Sequence, residues 1–208
     1  MRGKVPRFIL TRHGQTQWSL ERRFQGHSDT ALIPAGVYQA ERLRDRLSCE
    51  SLTAIYASDL ERARHTAQIV ASAHHLPVRV VPGLREICFG CFEGKTWDEI
   101  REAYPEASQA WWVGMSTICP PGGESLQDFV ERVTAVAHRL QEAHAGETIL
   151  LVTHGGTARA LLCAFLGWDL SHFWRWRVDN TSLSVVEDGP LGWRLVLLND
   201  TCHLDGVR

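Results

Sequence analysis

An α/β fold with buried parallel strands is the expectation from three observations. Short apolar runs end at glycine-rich turns, such runs alternate with amphipathic helical segments, and two histidines stand just past two of the runs near opposite ends of the chain. The first histidine is His13, in Phe8-Ile9-Leu10-Thr11-Arg12-His13-Gly14; the second is His154, in Ile149-Leu150-Leu151-Val152-Thr153-His154-Gly155-Gly156. A run too short for a helix and apolar throughout is what a strand buried on both faces looks like. Because α/β sheets gather ligands at the carboxyl ends of their strands, both imidazoles are expected at one crevice.

The elements follow in order. After the strand ending near Leu10 comes a long polar loop, and Pro34-Ala35-Gly36-Val37 then opens a helix with Ala40, Leu43 and Leu47 on one face. Ala54-Ile55-Tyr56-Ala57 reads as the second strand. Ser58-Asp59-Leu60-Glu61 has the form of a capping box, which predicts a helix from there to about His74. Val78-Arg79-Val80-Val81 is the third strand, stopped by Pro82-Gly83. Residues 84–124 have weak periodicity but hold Phe89, Phe92, Trp97, Tyr104, Trp111 and Trp112, and read as a cap over the crevice within a single domain. Ser125 with Asp128 repeats the capping pattern before a long amphipathic helix through Phe129, Val133, Val136 and Leu140. The strand into His154 precedes a helix over 157–166 closed by Gly167. Two β-rich runs, 181–187 and 193–198, joined by a turn at Asp188-Gly189-Pro190, complete the sheet.

Composition narrows the function classes. The chain has 208 residues, 44% hydrophobic and 22% charged, enough for one substantial core. A formal charge of −2 without long runs of either sign argues against nucleic-acid binding and against a membrane-surface helix. No apolar stretch of about 18 residues is present, and residues 1–6 lead into the first strand without the core of a signal peptide, so a cytoplasmic protein is expected. Of the six cysteines only Cys88 and Cys91 have metal-ligand spacing, with no second pair at a workable distance; the expectation is reduced thiols and no metal.

At the strand ends, Arg12 lies beside His13, and Arg62 falls in the first turn of the helix that follows Ser58. There the free backbone N–H groups and the helix dipole favour an anion. Two guanidiniums and a helix N-terminus form a phosphate socket, since a planar fork of donors matches phosphoryl oxygens in pairs. An imidazole set among fixed positive charges stays neutral and nucleophilic near pH 7, which marks His13 as a nucleophile. The leaving alkoxide needs a proton, and Glu86, after the third strand, is the best placed acid; Glu93 and Asp98 compete with it.

These residues resemble the signature of the histidine phosphatase superfamily, which includes the cofactor-dependent phosphoglycerate mutases. The resemblance runs from Thr11-Arg12-His13-Gly14-Gln15-Thr16 through Arg23-Phe24-Gln25-Gly26, Ser58 to Ala63, Glu86 with Phe89-Gly90, and Gly122-Gly123-Glu124-Ser125 to Thr153-His154-Gly155-Gly156. It implies a three-layer α/β/α sandwich with a mostly parallel sheet and no metal or other cofactor. By the same resemblance His13 forms a phosphohistidine, Glu86 serves as acid and then base, and Arg12, Arg62 and His154 hold the phosphoryl group. Ser58, Gln25 and Gly26 lie close to the substrate, with Gly155 at the turn after the second imidazole. Many members carry an Asn where this chain has Trp18-Ser19, so that one phosphate hydrogen bond is either lost or supplied by Ser19. Residues 97–124 hold only Arg101 as a clear cation, which favours hydrolysis of a small phosphorylated metabolite over a mutase acting on a doubly anionic substrate. The C-terminal run from Phe173 to Asn180 and the ending from Leu197 resemble α-ribazole-phosphate phosphatases, and also broad-specificity and phosphoserine phosphatases. A phosphate-ligand sensor is the remaining alternative. Trp174 and Trp176 are expected to pack against the sheet and His203 to belong to an exposed tail, while exposed Trp residues would suit a homodimer contact.

Overall fold

The computed structural model describes residues 6–114 and 117–205. The segment 1–5, expected to lead directly into the first strand, lies outside them. Six strands form one sheet in the order β3-β2-β4-β1-β5-β6. The first four are β1 (Arg7–Arg12), β2 (Ala54–Ala57), β3 (Val78–Val80) and β4 (Thr148–Thr153), and they pair in parallel; β5 (Leu183–Glu187) and β6 (Arg194–Asp200) add an antiparallel edge. The mostly parallel sheet is thus the one expected.

Two-residue alternation along the central strands sorts the core into two layers. Phe8, Leu10, Ile149 and Leu151 face one side, where they meet Phe129, Val133 and Val136 of α6 (Leu126–Ala143) and Leu161 and Phe165 of α7 (Gly155–Leu166). Ile9, Ile55, Leu150 and Val152 face the other side, against Leu43 and Leu47 of α2 (Pro34–Leu47) and Ala67 and Val70 of α3 (Glu61–Ala71). Strands buried on both faces explain why the sequence reads as unbroken apolar runs there.

Several predicted boundaries shift. The Ser58 capping box does not form: the last residue before α3 is Leu60, without a side-chain cap, and the helix ends at Ala71 rather than His74. Ser58 instead continues the strand, its N–H donating to the Val152 carbonyl at 3.2 Å while its buried Oγ accepts from the Leu60 N–H at 3.3 Å. The Ser125 cap is present, its Oγ accepting from the Asp128 N–H at 3.1 Å, and Gly167 closes α7 in the left-handed conformation. Short α1 (Gln17–Leu20) follows the His13 turn, and residues 84–124 contain α4 (Trp97–Ala103) and α5 (Pro105–Gly114). His203 is no exposed tail residue. It is buried in a short 3-10 turn whose carbonyl accepts from Arg42 of α2.

Candidate active site

Parallel pairing of β1 with β4 matches Arg12 to Thr153, so the residues that follow each strand, His13 and His154, emerge side by side. Their ring centroids are 5.3 Å apart at an interplanar angle of 62°, and both rings are buried. The His13 turn packs backbone to backbone on α2, where a Cβ on Gly14 would stand 2.3 Å from the Gly36 carbonyl oxygen, so only glycine fits. His13 Nδ1 lies 2.7 Å from the Gly14 carbonyl. A carbonyl only accepts, so Nδ1 carries the proton and the lone pair sits on Nε2. Burial, then the Arg62 and Arg12 guanidiniums, hold His13 well below the ordinary imidazole value. His154 is held down by burial first and by the same two cations with His13.

Both guanidiniums are oriented by carbonyls rather than by carboxylates. Arg62, fully buried in the first turn of α3, donates to Ser28 O at 2.8 Å and Gly26 O at 2.7 Å; Arg12 donates to Val178 O at 3.0 Å. Burial lowers the pKa of Arg62 to about 10, which leaves it charged at neutral pH. Gly26, at φ +49°, turns tightly over Glu93, whose Oε1 a Cβ there would meet at 1.9 Å. Arg12 Nε, Arg62 Nε and both ring nitrogens of His154 are buried with no hydrogen-bond partner among the described residues. Buried polar groups are rarely left so. A tetrahedral oxyanion fits this set, because Arg12 and Arg62 line one cavity with His13 and the buried His154 ring lies beside the His13 ring.

Glu86 enters the same hollow. One carboxylate oxygen accepts from the Gly156 N–H at the start of α7 at 2.9 Å, the other from its neighbour Ile87 N–H at 3.0 Å. Its competitors for the acid role are placed elsewhere. Glu93 accepts from the backbone N–H groups of His27, Ser28 and Phe89, and Asp98 lines a separate hollow between α4 and α5. The loop carrying Glu86 is clamped from α6, where Arg132 donates to the Gly83, Arg85 and Glu86 carbonyls and to Glu124, whose carboxylate accepts from the Cys88 N–H.

A cavity of about 530 Å³ opens above these groups, lined by Arg12, His13, Arg62, Glu86 and Gly155 at its base. Gln25 and Ser19 also line it. Gln25 Oε1 accepts from Thr16 and Thr30, which leaves its amide N–H donors for a ligand, whereas the Ser19 hydroxyl already donates to the Thr16 carbonyl in the cap of α1. Ser58 and Gly26 are not part of the lining: Ser58 follows β2 and bonds to Val152 and Leu60, and the Gly26 carbonyl accepts from Arg62. The upper wall is aromatic, with Phe24, Phe89, Trp97, Trp111, Trp112 and Trp174. Trp111 is buried among the other rings while Trp112 is mostly exposed. Trp176 packs on the core as expected, but Trp174 faces the cavity. Three further cations join the lining: Arg23, which the sequence placed in the Arg23-Phe24-Gln25-Gly26 motif without a role, and Arg22 and Arg159, which it did not single out. Arg159 was legible in principle, standing one helical turn after Gly155 and so on the same face of α7.

A family model described as histidine phosphatase superfamily, branch 1, matches residues 8–201, an interval that contains every group just described. The chain belongs to the histidine phosphatase superfamily. This histidine phosphatase is 36% identical over 198 residues to phosphoserine phosphatase 1 of Hydrogenobacter thermophilus, covering 95% of this chain and 94% of the relative. It is 34% identical to the adenosylcobalamin/α-ribazole phosphatase of Escherichia coli over 181 residues, 87% and 89% of the two chains. The crystal structure of the α-ribazole phosphatase from Shigella flexneri superposes with a TM-score of 0.87 at 33% identity, over 93% of this chain and 96% of that one. As a member of this group the protein is a phosphoric monoester hydrolase, and the three-layer α/β/α fold is shared with its structural neighbours.

Proposed function

We propose that this histidine phosphatase cleaves a small phosphorylated metabolite in two in-line steps. In the first, the Nε2 lone pair of His13 attacks phosphorus and the P–O ester bond breaks, with the Glu86 carboxylic acid giving its proton to the departing alkoxide. In the second, water attacks phosphorus and the P–N bond breaks while Glu86 takes a proton from the water, which returns His13 neutral and releases phosphate. Arg12, Arg62 and His154 supply donors to the equatorial oxygens, where charge gathers in the transition state. The observation that carries this reading is the placement of the His13 imidazole, with its Nε2 lone pair free, in one cavity with Arg12 and Arg62 and beside the His154 ring, where the two arginine Nε atoms and the His154 ring nitrogens are buried without partners among the described residues. Gln25 and the N-terminus of α7 at Gly155 add donors at the rim of the socket; α4 and α5 act as its cap, and their rings receive the apolar portion of the alcohol, such as the flat base of α-ribazole phosphate. The six cysteines are free thiols, in keeping with a reducing cytoplasm.

The test is to trap the enzyme with labelled p-nitrophenyl phosphate and to quench it in acid or in alkali. A phosphoramidate on His13 survives alkali and is lost in acid, and His13→Ala abolishes both the label and phosphate release. Label that resists acid on another residue refutes His13 as nucleophile. Turnover of 3-phosphoglycerate only in the presence of a bisphosphate primer identifies a mutase instead.

A further inference from the structure

Arg159 has no part in the chemistry above, yet it faces it. Its Nε donates to the Trp176 carbonyl at 3.0 Å, and its guanidinium lies 5.4 Å from the centroid of the Trp174 ring. A Cβ built on Gly155 would stand 3.6 Å from Arg159 Nη1 and 3.7 Å from Arg12 Nε, so the two guanidiniums flank one point at the start of α7. The Nη groups of Arg159 have no acceptor among the described residues, and no carboxylate there comes within ion-pair distance of it. Asp179, one of its two electrostatic partners, is committed to Arg177 at 2.6 Å and accepts from Asn199. Glu86, the other, accepts from the Gly156 and Ile87 N–H groups and forms no ion pair with Arg159. The side chain is thus a largely buried cation, fixed at Nε and stacked on an indole, with its outer fork turned to the cavity beside the proton donor. A planar fork held in this way matches a carboxylate. Its place beside Glu86 puts that carboxylate near the ester oxygen rather than at the far end of the substrate. The other unclaimed cations are poorer candidates: Arg23 is held by Glu21 and Glu99, and Arg22 is exposed at the mouth.

We propose that Arg159 is a specificity-determining residue that receives a carboxylate borne close to the phosphoester, so that the preferred substrates are phosphorylated hydroxy or amino acids. This rests on the phosphatase reading above. Two matched pairs isolate the carboxylate: O-phosphoserine against O-phosphoethanolamine, and 3-phosphoglycerate against glycerol 1-phosphate. The wild-type enzyme is expected to favour the carboxylated member of each pair about ten- to a hundredfold in kcat/KM, the range of a charge-assisted hydrogen bond. Arg159→Met, whose stem still packs on Trp174, is expected to bring the ratio within about threefold of unity, and Arg159→Lys to restore part of it. A wild-type ratio near one overturns the proposal without reference to any variant. So does an equal fall for both members of each pair and for p-nitrophenyl phosphate, which would place Arg159 on the phosphoryl group or in the support of residues 174–178. Loss of the ratio in Arg22→Ala with its retention in Arg159→Met assigns the role to Arg22 and also overturns it. Absence of phosphate release from every substrate, p-nitrophenyl phosphate included, would instead defeat the phosphatase reading itself.

Discussion

Two buried imidazoles that resist protonation make the stability of this enzyme depend on pH in a defined direction. Burial is the largest cause for both His13 and His154, with Arg62 next, and both pKa values fall well below 6.5. In the unfolded chain each titrates near 6.5, so below that pH the unfolded state binds protons that the folded state refuses. Stability is then full above about pH 6.5 and declines as pH falls below it, with a limiting slope of about 1.4 kcal/mol per pH unit for each imidazole, until the folded-state values are reached. Urea midpoints at pH 7.5, 6.5 and 5.5 should stay level over the first interval and drop over the second, and His13→Gln should flatten part of that drop. A level profile down to pH 5.5 would mean that the folded protein already holds these protons. That His13, Arg12, Arg62, Glu86 and His154 come together was legible in the sequence, because each stands at or within a few residues of the carboxyl end of a parallel strand. Ser58 and Gly26 were read as substrate neighbours but do not line the cavity, Gly26 instead accepting from Arg62, and Arg159 was passed over: a side chain several residues into a helix reveals its direction only once the helix start is fixed.

The start of α7 ties Glu86, the proposed acid, to the second imidazole. Gly156 donates its N–H to Glu86, and a Cβ at that position would meet Glu86 Oε1 at 2.3 Å. Alanine there improves helix propensity by about 0.5–1 kcal/mol, so Gly156→Ala separates placement of the acid from stability of the helix. We expect the melting temperature of Gly156→Ala to hold or rise while hydrolysis of alkyl phosphates falls much more than that of aryl phosphates. The pattern should follow Glu86→Gln, for which general acid catalysis sets a loss of about a hundredfold or more on poor leaving groups. Equal losses on both ester classes in steady-state assays would show that Glu86 is not the group displaced. Element boundaries were less legible than the elements. Ser58-x-x-Glu61 has the form of a cap, yet strand pairing claimed Ser58 first, because its backbone completes the β2–β4 ladder through Val152. Thr96 and Glu99 do form a reciprocal cap on α4, a signal that the surrounding aromatic residues obscured.

At the scale of the molecule, one face of the sheet carries a second task. The layer that packs α6 and α7 continues into the aromatic cluster beneath α4 and α5, where Trp111 meets Phe24, Phe89, Phe92 and Trp97 at centroid distances of 5.9 to 6.1 Å. Core packing and the cavity wall therefore share side chains. Trp111→Ala should lose about 3–5 kcal/mol of stability, the usual range for a buried indole. It should also raise KM for a bulky ester more than for p-nitrophenyl phosphate, since Phe89 and Trp97 lose their backing; an unchanged KM ratio with lowered stability would confine the ring to a packing role. The parallel register of β1 with β4 has a temporal consequence as well. It joins the first part of the chain to its last third, so loop closure over most of the polypeptide must precede assembly of the hollow. A ribosome-bound chain lacking β4 holds His13 without His154 beside it, and recovery of turnover on refolding requires that long-range strand pairing as well as the local elements.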